Sequence, residues 1–326
     1  MTDPFHRRID YLRLSVTDRC NLRCLYCLPP QGFNGSPAAE LLSDEEIARI
    51  VSIGIRLGID KIRITGGEPL VRHGIVELVH ELARLPGLKD ISLSTNGVLL
   101  AELAKSLRAA GLSRVNVSLD TLNRDRFKRI TRFGELDDAL EGLQAALAAG
   151  LSPVKVNVVV MKNLNSDEIE DFVALARRLP VHVRFIELMP IGESGFFSKE
   201  RWLPLEEIQK RCGVLEPLDD TASPKGFGPA VYYKSPGALG TIGFIGALSC
   251  NFCRRCNRLR LTSAGRLLPC LASEQGENLG RALRSGATDN DLAGIIRKTV
   301  HEKPEQHHMG PEQNKMREAF MCALGG

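Results

Sequence analysis

Short runs of β-forming residues alternate with amphipathic helical patterns along the first part of this 326-residue chain. The predicted strands are 12–16, 61–65, 90–94, 114–119, 154–160 and 182–187. The predicted helices are 43–57, 74–84, 99–110, 136–149 and 166–178, and Ser43 with Glu46 forms a capping box at the start of the first. Such alternation is typical of right-handed βαβ units on a parallel sheet. Six units predict an α/β fold with a partial, open TIM-like barrel, and a doubly wound sheet is the alternative.

The alternation ends near residue 190, where glycine and proline become frequent, as in DDTASPKGFGPAVYYKSPGALG. Short strands are predicted at 230–234, 239–245, 258–262 and 266–270, followed by an irregular tail with a short helix. We therefore expect two parts. Residues 1–222 form the barrel, and 223–326 form a smaller C-terminal α+β region laid against it.

The composition is that of an ordinary globular protein, with 43% apolar and 25% charged residues. The longest apolar runs, such as VKVNVVVM, are too short to cross a bilayer, and MTDPFHRRID lacks the apolar stretch of a secretory signal. We expect a cytoplasmic protein that does not enter a membrane. The net charge of +4 is too small to indicate nucleic-acid binding by itself.

The nine cysteines predict metal ligands or catalytic thiols, because the cytosol disfavours disulfides. Cys20, Cys24 and Cys27 follow the first predicted strand with the spacing C-x3-C-x2-C. Catalytic groups of barrel enzymes collect at this end of the strands. Structural zinc needs four ligands, and a fourth Cys or His is missing nearby. Three thiolates on a four-iron cluster would leave one iron open, which indicates a catalytic site.

A second group of cysteines lies at 250, 253, 256 and 270. The spacing of Cys250 to Cys253 equals that of Cys253 to Cys256, so spacing alone does not exclude Cys250. Four arginines in RRCNRLR lie within this group. A solvated face is the default interpretation of such a run, and its position inside a cysteine cluster favours an anionic ligand more than usual. Cys212 and Cys322 stand apart and are interpreted as small buried residues.

The first motif, with Tyr26 before its last thiol, resembles that of the radical S-adenosylmethionine (SAM) superfamily. ITGGEPL at 64–70 is similar to the glycine-rich element of that superfamily, where the backbone approaches a ligand closely. Nearly the whole chain resembles the GTP cyclases of molybdenum cofactor biosynthesis. The segments that carry this second resemblance include LSTNG, VNVSLDTL, VKVNVVVMKNLN, RFIELMP, CNRLRLT and the terminal GG.

This resemblance implies a lyase with a radical SAM barrel, two 4Fe–4S clusters and SAM. A 5′-deoxyadenosyl radical would take the hydrogen from C3′ of GTP, and C3′ would then attack guanine C8. The product would be (8S)-3′,8-cyclo-7,8-dihydroguanosine 5′-triphosphate, formed in the first step of molybdenum cofactor (molybdopterin) biosynthesis. The implied partners are an electron donor, the downstream cyclic pyranopterin monophosphate synthase and a second copy of the chain in a homodimer, with no nucleic acid.

The resemblance also implies roles for individual residues, none of them a catalytic side chain. The first cluster would be held by Cys20, Cys24 and Cys27, and the second by Cys253, Cys256 and Cys270. SAM would contact Tyr26, Gly67, Ser118 and Met189. GTP would contact Arg13, Arg63, Ser94, Lys155, Arg258, Leu259 and Arg260. A tail ending in Gly325 and Gly326 would reach the active site.

Some residues keep a plainer interpretation beside the implied one. From the sequence alone, Met189 is equally well an ordinary core residue, and Arg63 belongs to the polar face of a strand. Cys250 is interpreted as a small buried bystander, because the family motif begins at Phe252 and Cys253. His307 and His308 are expected in a solvated tail.

Two other functions remain open. One is a radical SAM enzyme that modifies a peptide or RNA and carries an auxiliary cluster. The other is a zinc protein without enzymatic activity, whose basic cluster binds nucleic acid. Iron with sulfide would exclude the zinc protein, and incubation with GTP, SAM and a reductant would separate the two enzymes.

Overall fold

A computed structural model describes residues 1–32, 35–191, 195–219, 221–273, 275–310 and 320–325. The strands are β1 Tyr11–Ser15, β2 Lys61–Thr65, β3 Asp90–Thr95, β4 Arg114–Ser118, β5 Val154–Val160, β6 Val181–Glu187, β7 Glu216–Pro217, β8 Val231–Lys234, β9 Thr241–Ile245, β10 Arg258–Leu261, β11 Arg266–Leu268 and β12 Glu277–Asn278. The α-helices are α1 Asp44–Arg56, α2 Ile75–Ala83, α3 Leu100–Ala109, α4 Arg124–Thr131, α5 Leu136–Ala148, α6 Ile169–Arg178, α7 Leu205–Arg211, α8 Leu279–Arg284, α9 Asp289–His301 and α10 Met321–Leu324.

The sheet order follows the chain order through its centre. Strands β1 to β6 are parallel neighbours in sequence order, without the reversal that defines a doubly wound sheet. The two ends of the sheet, β12 and β7, do not pair with each other in the described part of the chain. The prediction of a partial, open barrel is confirmed, and the doubly wound alternative is wrong.

The C-terminal region extends this same sheet on both sides. Strand β10 pairs parallel with β1, and β9 pairs parallel with β6. The hairpin partners β11 and β12 follow β10, while β8 and β7 follow β9, all antiparallel. The C-terminal strands therefore continue the barrel wall instead of forming a separate layer against it. The boundary at residue 222 stays a prediction.

All six predicted barrel strands and all five predicted helices are present, with ends shifted by at most three residues. The capping box is also present: the Glu46 N–H donates to Ser43 Oγ at 3.2 Å, and the Ser43 N–H donates to Glu46 Oε2 at 2.9 Å. Helices α4, α7, α8 and α9 were not predicted. Of these, α4 bears directly on the site, because it holds the first cysteine loop.

The two faces of the barrel strands differ in chemistry. One face is apolar and packs in the main core, as Leu12 and Leu14 of β1 and Ile62 and Ile64 of β2 do. The alternate residues line cavities inside the barrel and are polar or basic, such as Arg13, Arg63, Ser94, Ser118, Asn157 and Arg184. Small TIM barrels usually fill their interior with branched apolar residues. A basic interior is instead suited to an anionic ligand.

Candidate active site

The six predicted cluster cysteines line one cavity inside the barrel, with a volume of about 330 Å³. Cys20, Cys24 and Cys27 belong to the loop after β1. Cys253 opens a short 3-10 helix, Cys256 follows it, and Cys270 comes after β11. The second group reaches the cavity because β10 lies beside β1. Two sets of three thiols, far apart in sequence, thus meet in one chamber.

The first cysteine loop is fixed by the end of α4. The Arg23 and Leu25 N–H groups donate to the Thr131 and Ile130 carbonyls at 2.9 and 3.0 Å. The Arg132 guanidinium donates to the Arg23 and Leu28 carbonyls at 2.7 and 2.8 Å. These bonds satisfy the backbone of an irregular loop and hold its thiols inside the barrel.

The thiols of the first loop need a metal centre to be charged. Burial raises the pKa of Cys20 to about 11 and raises the pKa values of Cys24 and Cys27 well above the usual range. Neighbouring thiolates raise the pKa values of Cys24 and Cys27 further. Bound iron would supply the positive charge that stabilises thiolates here. In the described residues no three Cys, His, Asp or Glu side chains converge on one ion position. Three buried thiols are the donor set of a four-iron cluster with one open iron, whereas structural zinc takes four ligands.

The second group sits in a positive environment. Burial raises the pKa of Cys256, but Arg258 and Lys303 outweigh burial and lower that pKa to about 6. The Lys303 ammonium donates to the Arg258 and Pro269 carbonyls at 2.8 and 2.5 Å, which ties the start of β10 to the residue before Cys270. The donor set therefore fits a second cluster, and Lys303 holds its two separate chain segments together.

The glycine-rich element packs directly on the first cysteine loop. The Gly67 and Glu68 N–H groups donate to the Thr17 and Arg19 carbonyls, both at 2.8 Å. A Cβ on Gly67 would lie 2.3 Å from the Arg19 carbonyl oxygen, so only glycine allows this approach. Glu68 accepts hydrogen bonds from Thr95 Oγ1 and the Asn96 N–H, both at 2.7 Å. Burial raises its pKa to about 7.

The predicted SAM residues lie around the same chamber, where Tyr26, Gly67, Ser118 and Met189 are all lining residues. The Tyr26 hydroxyl donates to Asp120 Oδ2 at 2.7 Å, and Asp120 Oδ1 accepts from the Val159 N–H at 2.8 Å. Burial raises the pKa of Asp120 to about 6. Asp120 is thus a site residue that the sequence reasoning missed.

Most of the predicted GTP residues also reach the cavity: Arg13, Arg63, Ser94, Arg258 and Arg260 line it. Lys155 lines an adjoining cavity at the amino-terminal ends of the strands. Leu259 is different, because its side chain is fully buried in the apolar core on the other face of β10. Any contact of Leu259 with a ligand in the cavity must therefore use its backbone.

The cations crowd one another. Burial and, after it, the charges of Arg184, Arg114 and Arg63 together lower the pKa of Lys155 to about 6. Burial, together with the charges of Arg184 and Arg114, lowers the pKa of Arg63 to about 10. Arg114 and Arg184 were missed in the sequence, although both alternate with apolar residues as Arg63 does. Such a group of cations becomes more favourable when an anion binds among them.

The C-terminal tail enters the cavity. The Gly325 carbonyl accepts hydrogen bonds from Arg260 Nη1 at 3.2 Å and from Arg13 Nη2 at 3.3 Å. Cys322 of α10 also lines the chamber. Burial is the main cause that raises the pKa of Cys27, and the neighbouring Cys322 thiolate is the second. The interpretation of Cys322 as buried is confirmed, and its place on the chamber wall was not predicted. Gly326 lies outside the described residues.

Two further expectations are corrected. Cys250 is exposed, not buried, and lines a surface groove with Leu205 and Arg254. His307 was expected in a solvated tail, but it lines the cavity and both of its ring nitrogens are buried without a hydrogen-bond partner. His308 is exposed as expected.

Comparison with known proteins agrees with this arrangement. Residues 14–176 match the profile of the radical SAM superfamily, and residues 181–309 match that of Molybdenum Cofactor Synthesis C. Curated proteins named GTP 3′,8-cyclase are 50% identical in Heliobacterium modesticaldum, over all of both chains, and 51% identical in Thermodesulfovibrio yellowstonii, over 94% of this chain and 95% of that one. The chain belongs to the GTP 3′,8-cyclase family of radical SAM proteins.

A solved structure shares this fold at much lower identity. The crystal structure of Streptococcus suis SuiB, 16% identical, superposes with a TM-score of 0.63 over 89% of this chain and 68% of that one. This likeness concerns the fold alone. No helix among the described residues of this GTP 3′,8-cyclase family member is long and apolar enough to span a membrane.

Proposed function

We propose that the chain is a GTP 3′,8-cyclase, a lyase that performs the first step of molybdenum cofactor biosynthesis. The observation that carries this proposal is the shared chamber: two sets of three thiols and a band of arginines line one cavity. The relatives that bear this name match along the full length of the chain at about half identity. The cofactors are SAM and 4Fe–4S clusters.

When bound, the reduced first cluster and SAM would supply a 5′-deoxyadenosyl radical able to take the hydrogen atom from C3′ of GTP. Bonding of C3′ to guanine C8 would then be completed by one further electron from the donor and one proton, which give the dihydroguanosine product. The chain's own residues bind and orient the reactants. Cys20, Cys24 and Cys27 hold the first cluster. Tyr26, Gly67, Ser118 and Met189 surround SAM, and Asp120 fixes the Tyr26 ring through their 2.7 Å hydrogen bond.

The guanine end of the substrate lies toward Cys253, Cys256 and Cys270, which hold the second cluster. Its triphosphate lies among Arg13, Arg63, Lys155, Arg258 and Arg260, with Ser94 and the Leu259 backbone beside it. Arginine suits phosphate because its planar guanidinium donates two parallel hydrogen bonds. The enclosed chamber holds the reacting atoms together and keeps water away from them.

The tail acts on the same arginines. The Gly325 carbonyl now accepts hydrogen bonds from Arg13 and Arg260, which are two of the proposed phosphate ligands. We assign the terminal residues 325 and 326 a supporting role in the reaction, with no catalytic side chain. A backbone without side chains is thin enough to share this space with a nucleotide.

The proposal also includes the partners and the location of the protein. An electron donor reduces the first cluster, and the product passes to the cyclic pyranopterin monophosphate synthase of the pathway. The chain works as a homodimer in the cytoplasm. Size-exclusion chromatography with light scattering tests the dimer directly.

The test of function is anaerobic incubation of the iron-loaded protein with GTP, SAM and dithionite. We expect iron and sulfide in the protein, 5′-deoxyadenosine from SAM and the 3′,8-cyclised nucleotide from GTP. Cleavage of SAM without any change in GTP would favour a peptide or RNA modifier. Zinc in place of iron would favour the non-enzymatic alternative.

A further inference from the structure

A second cavity adjoins the cysteine-lined chamber at the amino-terminal ends of the strands. Its volume is about 990 Å³, and Lys61, Arg114 and Lys155 form part of its wall. Gly228 and Pro229 line both cavities, so the wall between them is thin. This wall includes residues 224–229, which we call the Phe227 loop.

The Phe227 loop lies on cations. The Lys155 ammonium donates to the Lys225 carbonyl at 2.7 Å. The Phe227 ring lies 4.4 Å from Lys61 Nζ and 5.6 Å from the guanidinium carbon of Arg114. Among the described residues, the bond from Lys155 is the one hydrogen bond found between this loop and the rest of the protein. The loop is therefore held by one hydrogen bond and two cation–π contacts, which phosphate oxygens can replace.

Glycine suits the backbone of this loop beside Lys155. A Cβ on Gly226 would lie 2.4 Å from Lys155 Nζ, and the backbone there has a φ of +156°. Next to it, Phe227 is 41% exposed, so its ring is not anchored in the core. The ring gives up one edge-to-face contact with Tyr11, with centroids 6.5 Å apart, when it leaves this position.

One of the covered cations is incompletely satisfied. Arg114 is 3% exposed, and its Nη1 pairs with Asp90. Its Nε and Nη2 atoms are buried without a hydrogen-bond partner. A buried guanidinium with two free donors is costly unless a ligand binds it. The ring of Phe227 covers this guanidinium but accepts only a weak electrostatic contact.

Part of the other end of the barrel is covered by the first cysteine loop and the tail. The first cysteine loop crosses the carboxyl-terminal ends of β1 and β2 and pairs with the glycine-rich element. The Gly325 carbonyl is held there by Arg13 and Arg260. Among the described residues, the Phe227 loop lies between the basic amino-terminal cavity and the chamber, so an anion that enters this cavity meets the loop before the chamber.

We propose that the Phe227 loop is a gate through which the anionic substrate reaches the chamber from the amino-terminal side of the barrel. This inference rests on the proposed GTP cyclase function. Phosphate oxygens replace the Lys225 carbonyl on Lys155 and displace the Phe227 ring from Lys61 and Arg114. While the triphosphate is bound, the ring stays in a wetter position.

The displacement of the ring is tested with the variant Phe227→Trp in the iron-loaded protein, compared with the wild type, whose single tryptophan is Trp202. GTP and inorganic triphosphate should each shift the added indole emission to longer wavelength, whereas guanosine should not. An unchanged emission with saturating inorganic triphosphate would overturn the gate. A shift with inorganic triphosphate but none with GTP would keep the gate and contradict the proposed function.

The rate of access is tested by rapid-mixing measurements of GTP association. Phe227→Ala should bind GTP roughly three- to tenfold faster, because two cation–π contacts no longer hold the loop closed. Gly226→Ala should have the same effect, because alanine is strained at a φ of +156° and its methyl group would displace Lys155 Nζ from the Lys225 carbonyl. The matched control is Phe133→Ala, which removes another exposed phenylalanine, 53% exposed, away from both cavities. Equal association rates in Phe227→Ala, Gly226→Ala and the control would contradict the proposal.

Discussion

The Tyr26 hydroxyl donates a 2.7 Å hydrogen bond to the Asp120 carboxylate, which joins the first cysteine loop to the end of β4. The same carboxylate accepts from the Val159 N–H at 2.8 Å, so three parts of the barrel meet at one buried group. This contact orients the Tyr26 ring toward the chamber that the thiols line.

We predict that Tyr26→Phe keeps both clusters but loosens the loop. A hydrogen bond to a charged group contributes about 1.5–3 kcal/mol, so the free energy of unfolding should fall by that order. The affinity for SAM should fall as well, because the ring is no longer oriented. Urea unfolding, iron analysis and equilibrium dialysis with SAM measure the three quantities. Loss of iron in this variant would mean that Tyr26 supports the cluster itself.

We predict opposite effects of replacing Cys250 and Cys270, although both belong to the second group of cysteines. Cys250 is exposed on a surface groove, whereas Cys270 lines the chamber. Cys250→Ser should keep about eight irons per chain, the sum of two four-iron clusters, and should still cyclise GTP. Cys270→Ser should lose the second cluster and cyclisation together. Iron content and product yield decide between them, and the reverse pattern would contradict the assignment of the second cluster.

Lys155 makes GTP binding depend on pH. Its pKa in the free protein is lowered to about 6 by burial and by neighbouring cations, so the amine is mostly neutral at pH 8. A bound triphosphate favours the charged form and raises this pKa, so binding takes up a proton above pH 6. GTP affinity should therefore fall as the pH rises from 6 toward 9, by at most tenfold per pH unit. Calorimetry at pH 8 in buffers with different ionisation enthalpies should detect proton uptake, and Lys155→Arg should abolish it.

The terminal glycines should matter to the reaction and not to assembly of the clusters. Gly325 is buried, and its carbonyl contacts Arg13 and Arg260. Deletion of residues 325 and 326 should leave the iron content and SAM cleavage intact and stop cyclisation of GTP. Product analysis of the truncated chain provides the check. A normal yield of cyclised nucleotide would remove the tail from the mechanism.

The sequence predicted the barrel well because its strands and helices carry clear periodic patterns. It missed α4, whose buried residues Phe127, Ile130 and Thr131 form only a narrow stripe on an otherwise charged helix. It could not predict that β9 and β10 extend the parallel sheet, because those pairings join segments far apart in the chain. The strands themselves were predicted, but their place in the sheet is a tertiary property.

The residues of the candidate site also fall into those that the sequence predicted and those that it missed. The cysteine motifs and the glycine-rich element can be recognised from the spacing of their residues, so they were found without a structure. Asp120, Lys303 and His307 carry no such local signal, because each reaches the chamber through contacts made by distant segments. Arg114 and Arg184 had the same alternating pattern as Arg63, but that pattern also describes an ordinary solvated strand face.

The central claim is that a radical formed at the first cysteine site takes the hydrogen atom from C3′ of GTP held in the same chamber. Incubation of the loaded protein with SAM, dithionite and GTP deuterated at C3′ tests it most directly, with mass spectrometry of the 5′-deoxyadenosine formed. The account predicts 5′-deoxyadenosine that carries one deuterium, together with cyclised nucleotide that has lost it. Unlabelled 5′-deoxyadenosine, formed beside unchanged deuterated GTP, would contradict the account.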